Sequence, residues 1–198
     1  MSGLAYLDRY LAGLPRGLES FADHVQKAAV FRQFVSGLPI AEQAHRLPPP
    51  LDGLVRAPPP VSAWLSEVQA TAVLTSLRDL FFSDDEGFFK YAYDTNRRVL
   101  ESVFYRVLFK LVSPQRVLRG AEARWAQLHK GMELFVAMRG DRGAEVRLVY
   151  PPGLLPDVIA TAYSTAFRAA VEVAGARAAS FTVVERSRTQ TTFHGAWS

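Results

Sequence analysis

Several kinds of chemistry are missing from this sequence of 198 residues. It has no cysteine, which excludes disulfides, thiolate metal ligands and thiol nucleophiles and favours a cytoplasmic protein. It has no uncharged apolar run of about 18 residues, so a transmembrane helix is not expected. It contains neither a G-x-G-x-x-G pattern nor a phosphate-binding loop, and its serines lie in no nucleophile elbow. We therefore predict that the protein is not an enzyme and holds no cofactor.

The four histidines offer little support for a metal or haem site. His24, His45, His129 and His194 share no metal-ligand spacing. His129 is predicted to end a helix, where an imidazolium suits the helix dipole. His194 alternates with Phe193 and is predicted to lie on the opposite, wetter face of a strand. Either His129 or His194 stays open as a haem ligand, and a His194–carboxylate pair in a cleft would favour an enzyme.

Positive charge is concentrated in the middle of the chain. Residues 97–147 contain eleven Lys/Arg and five Asp/Glu, whereas residues 1–96 contain eight basic and eleven acidic residues. Such a stretch is either a solvated helix surface or a contact face for an acidic partner. Nucleic acid is not the expected partner, because most aromatic residues there fall on a buried stripe. The predicted partner face consists of Arg97, Arg98, Arg106, Arg116, Arg119 and Arg124.

The first third of the chain is predicted to be helical around a proline-rich segment. Apolar residues at helical spacing predict helices over residues 4–14 and 18–35. The segment 47–60 holds two proline triplets and is predicted to be extended, either as a spacer or as a ligand for a proline-reading module. Residues 1–60 are therefore predicted to form a helical arm, and residues 61–198 an α+β domain within one compact unit.

Three helices are predicted in the middle of the chain, over residues 61–82, 83–112 and 113–130. The second begins at Ser83–Glu86, which has the spacing of a capping box and explains the clustered acids without a metal. The wide aromatic stripe of this helix is predicted to be core or, alternatively, the wall of a ligand pocket. The residues of that pocket would be Phe88, Phe89, Phe104 and Trp125.

The clearest pattern lies in the last third, which reads as hairpin, helix, hairpin. Strands are predicted over residues 132–139, 144–150, 178–185 and 191–197, with a helix over residues 156–174 between the two pairs. Two hairpins joined by a helix form one four-stranded antiparallel sheet with that helix on one face. The predicted fold is therefore α+β, with about five helices in layers packed on the sheet.

Three short stretches carry a family resemblance: Asn96–Glu101, Ser113–Leu118 and the closing Gly195–Trp197. From about Leu80 onward the chain resembles a paralogous family of uncharacterised proteins from myxobacteria. Its element order is also similar to that of small TRAPP-complex subunits, vinyl-reductase-like domains and haem-NO-binding domains. These similarities imply a ligand pocket between helices and sheet and dimerisation through helices. They carry over no site residue, because the chain lacks cysteine and the Tyr-x-Ser-x-Arg motif of the haem-binding family.

These patterns together predict a non-catalytic protein-binding or adaptor protein that is cytoplasmic and self-associates. Its partner would be another protein or a second copy of the chain. The alternative is a sensor-type domain that binds an apolar small molecule or lipid between helices and sheet. A stoichiometric ligand that co-purifies with the protein would favour the sensor, and its absence would favour the adaptor.

Overall fold

The computed structural model describes residues 3–101 and 113–198, which form a mixed α+β fold with two antiparallel sheets. The α-helices are α1 Ala5–Ala12, α2 Ala28–Ser36, α3 Pro49–Arg56, α4 Glu67–Phe81, α5 Asp85–Glu101, α6 Pro114–Arg119, α7 Ala121–Leu128 and α8 Asp157–Val173. Short 3-10 helices cover Gly17–Glu19 and Ile40–Arg46. The strands are β1 Val25–Lys27, β2 Trp64–Ser66, β3 His129–Lys130, β4 Glu133–Met138, β5 Gly143–Val149, β6 Ala179–Arg186 and β7 Gln190–Trp197. Within these ranges, none of the helices combines the length and apolarity that a membrane span requires.

The larger sheet confirms the predicted hairpin–helix–hairpin. Its strand order is β4-β5-β7-β6, with all neighbours antiparallel. Helix α8 covers one face, where the Phe167 ring lies 5.9 Å from Phe181 and 5.2 Å from Phe193. Gly195 makes room for this packing, because a Cβ at that position would lie 2.2 Å from the Phe181 ring. The sheet and α8 thus form two tightly packed layers.

The N-terminal helices form a further layer on the far side of α8. Helix α8 contacts α5 as well as β6 and β7, so it lies between the sheet and α5. One continuous cluster of buried apolar side chains runs from Leu7 through Leu51 and Leu77 to Phe193. The division of the chain at residue 60 stays a prediction, although buried side chains from both parts belong to this cluster.

The proline-rich segment differs from its predicted extended form. Most of it is helix α3, which has prolines in its first turn, where the missing N–H groups have no intrahelical acceptor anyway. Leu51 and Val55 are buried, at 0% and 4% exposure, and belong to the main core. The prediction of an extended spacer over this segment was therefore wrong, because one turn of apolar spacing outweighed the proline content.

Three of the predicted helices are shorter than expected, because short strands occupy part of each range. The ranges were 18–35, 61–82 and 113–130, and they contain β1, β2 and β3 respectively. The third helix is also interrupted at Gly120, where α6 ends and α7 begins. Strands of two or three residues leave no periodic signal, so an apolar pattern read as helix extended across them.

The start of α5 also differs in detail from the predicted capping box. The Asp84 side chain, rather than that of Ser83, accepts a hydrogen bond from the backbone N–H of Gly87 at 2.8 Å, which lowers the pKa of Asp84. No group of three His, Cys, Asp or Glu side chains in the described ranges is placed to hold a metal ion. The predicted continuation of this helix past Glu101 lies outside the described residues.

Candidate functional site

The small sheet brings three polar side chains together in the interior. Strand β1 lies between β2 and β3, and Gln26 on β1 pairs in register with His129 on β3. Strand β2 ends at Ser66, whose hydroxyl accepts a hydrogen bond from the backbone N–H of Gln69 at 3.4 Å and begins α4. Glu67 is therefore the first residue of α4 and lies beside the two paired residues of the sheet.

The carboxylate of Glu67 is buried, and both its oxygens accept hydrogen bonds. Gln26 Nε2 donates to Oε2 at 2.9 Å, and His129 Nδ1 donates to Oε1. The side chains of His129 and Glu67 are only 8% and 2% exposed. Because a carboxylate can only accept, the imidazole proton lies on Nδ1, which leaves Nε2 as an acceptor in the neutral ring.

The indole of Trp125 fixes the plane of this imidazole. Trp125 lies one helical turn before His129, and the two rings stack with centroids 3.8 Å apart and planes at 11°. The indole N–H donates to the carbonyl of Met132 at 3.0 Å, so the indole itself is held in place. A hydrogen bond to Nδ1 and an aromatic face against the ring together restrict its rotation.

A cavity of about 60 Å³ lies next to this cluster, between the N-terminal helices and α8. Its polar lining consists of Gln26, Asn96, His129 and Tyr163. In the described part of the chain, Nδ1 of His129 bonds to Glu67 and Nε2 has no hydrogen-bond partner, and the residue lines the cavity. The apolar walls come from α2, α4, α5 and α8 and consist of Val30, Phe34, Leu74, Phe88, Ile159, Ala162 and Ala166.

Two tyrosines share this interior with Glu67. Burial raises the pKa of the Tyr163 phenol well above its ordinary value of 10.0, and the negative charge of Glu67 raises it further. Burial likewise raises the pKa of Tyr10, and the charge of Glu67 acts in the same direction. Both phenols therefore keep their protons at neutral pH, and the carboxylate is surrounded by neutral polar groups.

Residues 26–198 match a protein family described as "Protein of unknown function (DUF2378)". The match covers most of the chain. The chain belongs to this family. No curated protein matches it. That this family is the same as the myxobacterial family that the sequence resembles stays a prediction.

Solved structures of H-NOX proteins share the fold of this DUF2378 protein. One, described as "Probing the function of heme distortion in the H-NOX family", has a TM-score of 0.63 at 8% identity and covers 86% of this chain and 94% of that chain. The Fe(II) unliganded H-NOX protein from K. algicida has a TM-score of 0.59 at 11% identity, with 87% and 96% covered. A mutant of the T. tengcongensis H-NOX has a TM-score of 0.58 at 8% identity, with 86% and 97% covered.

The likeness at these identities concerns the fold alone. It confirms, at the level of architecture, the predicted similarity to haem-NO-binding domains. The similarity to TRAPP-complex subunits gains no support from it. The fold of this family member is therefore H-NOX-like, and its site has to be argued from its own residues.

The four residues predicted to line a ligand pocket do not all meet in one place. Phe88 lines the cavity, and Trp125 stacks on His129, which also lines it. Phe89 packs against Phe88, with ring centroids 6.1 Å apart, but does not line the cavity. Phe104 lies outside the described residues. The pocket predicted from the aromatic stripe therefore stays a proposal. The cavity in the structure is lined mostly by residues other than the four predicted.

The arginines predicted to form a partner face are spread over three helices. Arg97 and Arg98 lie on α5, and both contact side chains of their own helix: Arg97 Nε bonds to Glu101 at 2.8 Å and Arg98 Nη2 to Thr95 at 3.0 Å. Arg116 and Arg119 lie on α6, Arg124 lies on α7, and Arg106 lies outside the described residues. Local partners therefore already engage part of the set, and its role in binding stays a prediction.

His194 lies on the outer face of the larger sheet, as predicted, in a shallow depression of about 450 Å³. Its side chain is 58% exposed, and its Nε2 lies 3.5 Å from the Glu145 carboxylate. The same carboxylate accepts a hydrogen bond from Arg139 at 2.8 Å, which lowers the pKa of Glu145. Charge-assisted hydrogen bonds are about 2.7–2.9 Å long. The pair that would favour an enzyme is thus present, but it is loosely placed and does not supply a positioned base.

Sequence reasoning missed Gln26 and Glu67 as the partners of His129. Glu67 is 41 residues from Gln26 and 62 residues from His129, so no local pattern connects them. His129 does follow directly on the end of a helix, but its side chain bonds to Glu67 instead of the helix carbonyls. One signal was available: Glu67 begins an apolar helix, and a buried carboxylate requires partners.

Proposed function

We propose that this chain is a sensor-type domain that binds a small, largely apolar molecule with one polar group in the cavity beside His129. The observation that carries the proposal is the cavity itself, whose apolar walls from four helices close on one oriented imidazole. Ligand sites typically combine such walls with a few precisely placed polar groups. The H-NOX-like fold supports the same interpretation, because one of the similar structures is described by its heme.

The polar end of the cavity would select the ligand by hydrogen bonding. In the neutral imidazole with its proton on Nδ1, His129 Nε2 is an acceptor. A ligand hydroxyl or N–H would therefore donate to Nε2, while its apolar part contacts the walls. An orienting carboxylate behind a histidine is the arrangement by which proteins commonly fix the tautomer and direction of the ring.

The size of the cavity limits the ligand. A volume of about 60 Å³ corresponds to roughly two water molecules at about 30 Å³ each. The expected ligand is therefore a molecule of a few heavy atoms, such as a short alcohol. A lipid was also predicted from the sequence as a possible ligand. A lipid chain would have to displace side chains of the surrounding helices.

Haem does not fit the residues that the structure describes. Pockets for ligands of drug size occupy about 300–1,000 Å³, a class that includes a porphyrin, whereas the cavity beside His129 has about 60 Å³. The other predicted haem ligand, His194, is 58% exposed on the outer face of the sheet and not enclosed. We therefore propose a ligand other than haem.

The adaptor prediction is the less supported of the two. The arginines on which it depends are partly engaged within their own helices. A protein partner, self-association and a cytoplasmic location stay predictions of the sequence. Oligomeric state measured by light scattering over a wide concentration range would test the self-association independently of any ligand.

Two measurements test the sensor proposal. Native mass spectrometry of freshly purified protein should show a small co-purifying molecule, or thermal denaturation should show stabilisation by a series of short alcohols. A ligand at 100 times its Kd stabilises the folded state by about 2.7 kcal/mol. For a chain of this size that corresponds to a Tm increase of about 5–11 °C, since each kcal/mol shifts Tm by about 2–4 °C.

A matched pair of variants places the ligand. Ala162→Leu fills the cavity and should abolish the ligand-dependent Tm shift, whereas Ala126→Leu, at an exposed position of α7, should preserve it. Equal shifts in both variants would show that the ligand binds elsewhere. The sensor proposal itself would be contradicted if no molecule co-purified with the protein and no alcohol raised its Tm.

A further inference from the structure

A separate cleft of about 610 Å³ opens between α1, the loop before α8 and the turn between β6 and β7. Three arginines line it: Arg9 from α1, Arg186 at the end of β6, and Arg188 in the turn. Asp157, the first residue of α8, also belongs to its lining. We name this site the arginine cleft. Its charged lining carries a positive excess, since three guanidinium groups face one carboxylate.

The pairing of Arg186 leaves it accessible to a ligand. Arg186 Nη2 donates to the carbonyl of Leu155 at 2.7 Å and contacts the Asp157 carboxylate at 2.8 Å. The Arg186 side chain is 24% exposed, so the carbonyl holds it in a defined position, whereas the Asp157 side chain is 92% exposed. Ion pairs with such exposed partners contribute little to stability. An incoming anion can therefore replace Asp157 on a guanidinium that is already positioned.

Within the described residues, neither of the other two arginines has an acidic partner. Arg9 and Arg188 are exposed, and within residues 3–101 and 113–198 neither forms an ion pair. Arg9 lies over the ring of Tyr6, with 5.5 Å between the guanidinium carbon and the ring centroid. Two unpaired guanidinium groups beside a third one form a site for an anion with two or more oxygens, because each group presents several donors in one plane.

One wall of the arginine cleft is aromatic and apolar. Tyr6, Leu155 and Val158 contribute to it, and the Tyr6 hydroxyl donates to Asp85 at 2.8 Å, which keeps the ring in place. The volume of the cleft lies within the range of about 300–1,000 Å³ that is typical for small-molecule sites. The cleft therefore offers room and apolar contact for more than an isolated inorganic ion.

We propose that the arginine cleft binds a small amphipathic anion. Its phosphate or carboxylate head would contact Arg186 and Arg188, and its apolar or aromatic body would lie against Tyr6. The site is distinct from the cavity beside His129, and the proposal does not depend on a ligand in that cavity.

The geometry of the cleft gives such a ligand a position between two distant parts of the chain. Arg9 belongs to the first helix, whereas Arg186 and Arg188 belong to the last hairpin. Helix α1 and the loop before α8 approach closely beside the cleft, where a Cβ on Gly153 would lie 2.9 Å from the carbonyl oxygen of Gly13. A bound anion would therefore bridge the N-terminal helical layer and the sheet layer.

Isothermal titration calorimetry with phenyl phosphate, phenylacetate, inorganic phosphate and benzyl alcohol tests this proposal. Phenyl phosphate or phenylacetate should bind saturably, more tightly than inorganic phosphate, and benzyl alcohol should not bind. The two aromatic anions distinguish a phosphate head from a carboxylate head. No saturation by either anion below about 10 mM would overturn the proposal, since that is weaker than a millimolar site. Equal affinity for phenyl phosphate, phenylacetate and inorganic phosphate would overturn the part that concerns the apolar body.

Three variants assign the binding to the cleft. Arg188→Gln should weaken binding by roughly 10-fold or more, as expected for the loss of a charge-assisted hydrogen bond. Asp157→Asn should strengthen binding several-fold, because it removes the competing carboxylate. Arg177→Gln makes the same change of charge at an exposed position outside the cleft and should leave binding unchanged. Equal weakening by Arg177→Gln and Arg188→Gln would show non-specific attraction and overturn the assignment.

Discussion

Replacing Glu67 with leucine tests the buried cluster most directly. The substitution removes the acceptor of two buried donors, Gln26 Nε2 and His129 Nδ1, and leaves both without a partner. Each buried polar group left unsatisfied costs about 1–3 kcal/mol. Glu67→Leu is therefore expected to lower the free energy of unfolding by about 2–6 kcal/mol.

A double-mutant cycle separates this effect from simple loss of packing. In Gln26→Leu combined with Glu67→Leu, one of the two orphaned donors is absent. The double variant should therefore be more stable than the sum of the single effects predicts, by about 1–3 kcal/mol. Urea denaturation provides the measurement, with the midpoint and the m-value both compared. Glu133→Leu, at an exposed strand position, serves as the control and should change stability by no more than about 0.5 kcal/mol.

Additivity of the two single effects within about 0.5 kcal/mol would refute the reasoning, because residues that share a hydrogen-bond network couple more strongly than that. It would mean that Gln26 finds another acceptor when Glu67 is absent. A change of m-value in Glu67→Leu would instead indicate that the compactness of one of the states had changed, and the cycle would then be repeated with Glu67→Gln.

Three further predictions follow from single positions. Gly195→Ala should destabilise the protein by about 1–3 kcal/mol, because the added methyl group would overlap the Phe181 ring. Gly53→Ala, at an open position of α3, should instead stabilise it by up to about 1 kcal/mol. Equal effects of the two variants in urea denaturation would contradict this prediction. Burial raises the folded-state pKa of Tyr163, so its stabilisation is full below pH 10 and is lost as the pH rises through the folded value. Tyr163→Phe should therefore flatten the fall of unfolding free energy above about pH 10, and an unchanged slope would contradict the burial of its phenol. Leu51→Ala should lower the free energy of unfolding by about 2–5 kcal/mol, since the Leu51 side chain is 0% exposed. A loss below about 1 kcal/mol in urea denaturation would contradict the burial of this segment and agree with an extended spacer.

The last third of the fold was predictable because its signals are local. The apolar run of β4, the alternation in β5, a turn with two glycines and a helix rich in small residues each show within a short stretch of sequence. The hairpin–helix–hairpin order predicts one sheet without specifying which strands pair between the hairpins, and the structure pairs β5 with β7. The register Val146–Phe193 places both side chains on the face that α8 covers. Local patterns and topology agreed, so the prediction held.

The candidate site was not predictable because it depends on pairing between remote short strands. β1, β2 and β3 have two or three residues each, too few for a period of two to be recognised. All three strands lie within ranges that were predicted to be helical. The cluster of Gln26, Glu67 and His129 forms only when the three strands pair. The proline-rich segment failed for a different reason: proline favours the first turn of a helix as well as an extended chain, and composition cannot distinguish the two.

The buried pair of Glu67 and His129 is hard to explain as a device for stability. Taking a carboxylate out of water is costly, and apolar residues of similar volume often serve a core as well as a buried charge pair or better. Most of the surrounding core is apolar, and this polar cluster lies beside the cavity. A carboxylate that fixes the tautomer and direction of an imidazole is the arrangement by which proteins orient histidines that bind a ligand through the other nitrogen. The cost of the pair and the position of the cavity therefore both support the proposal that His129 contacts a ligand.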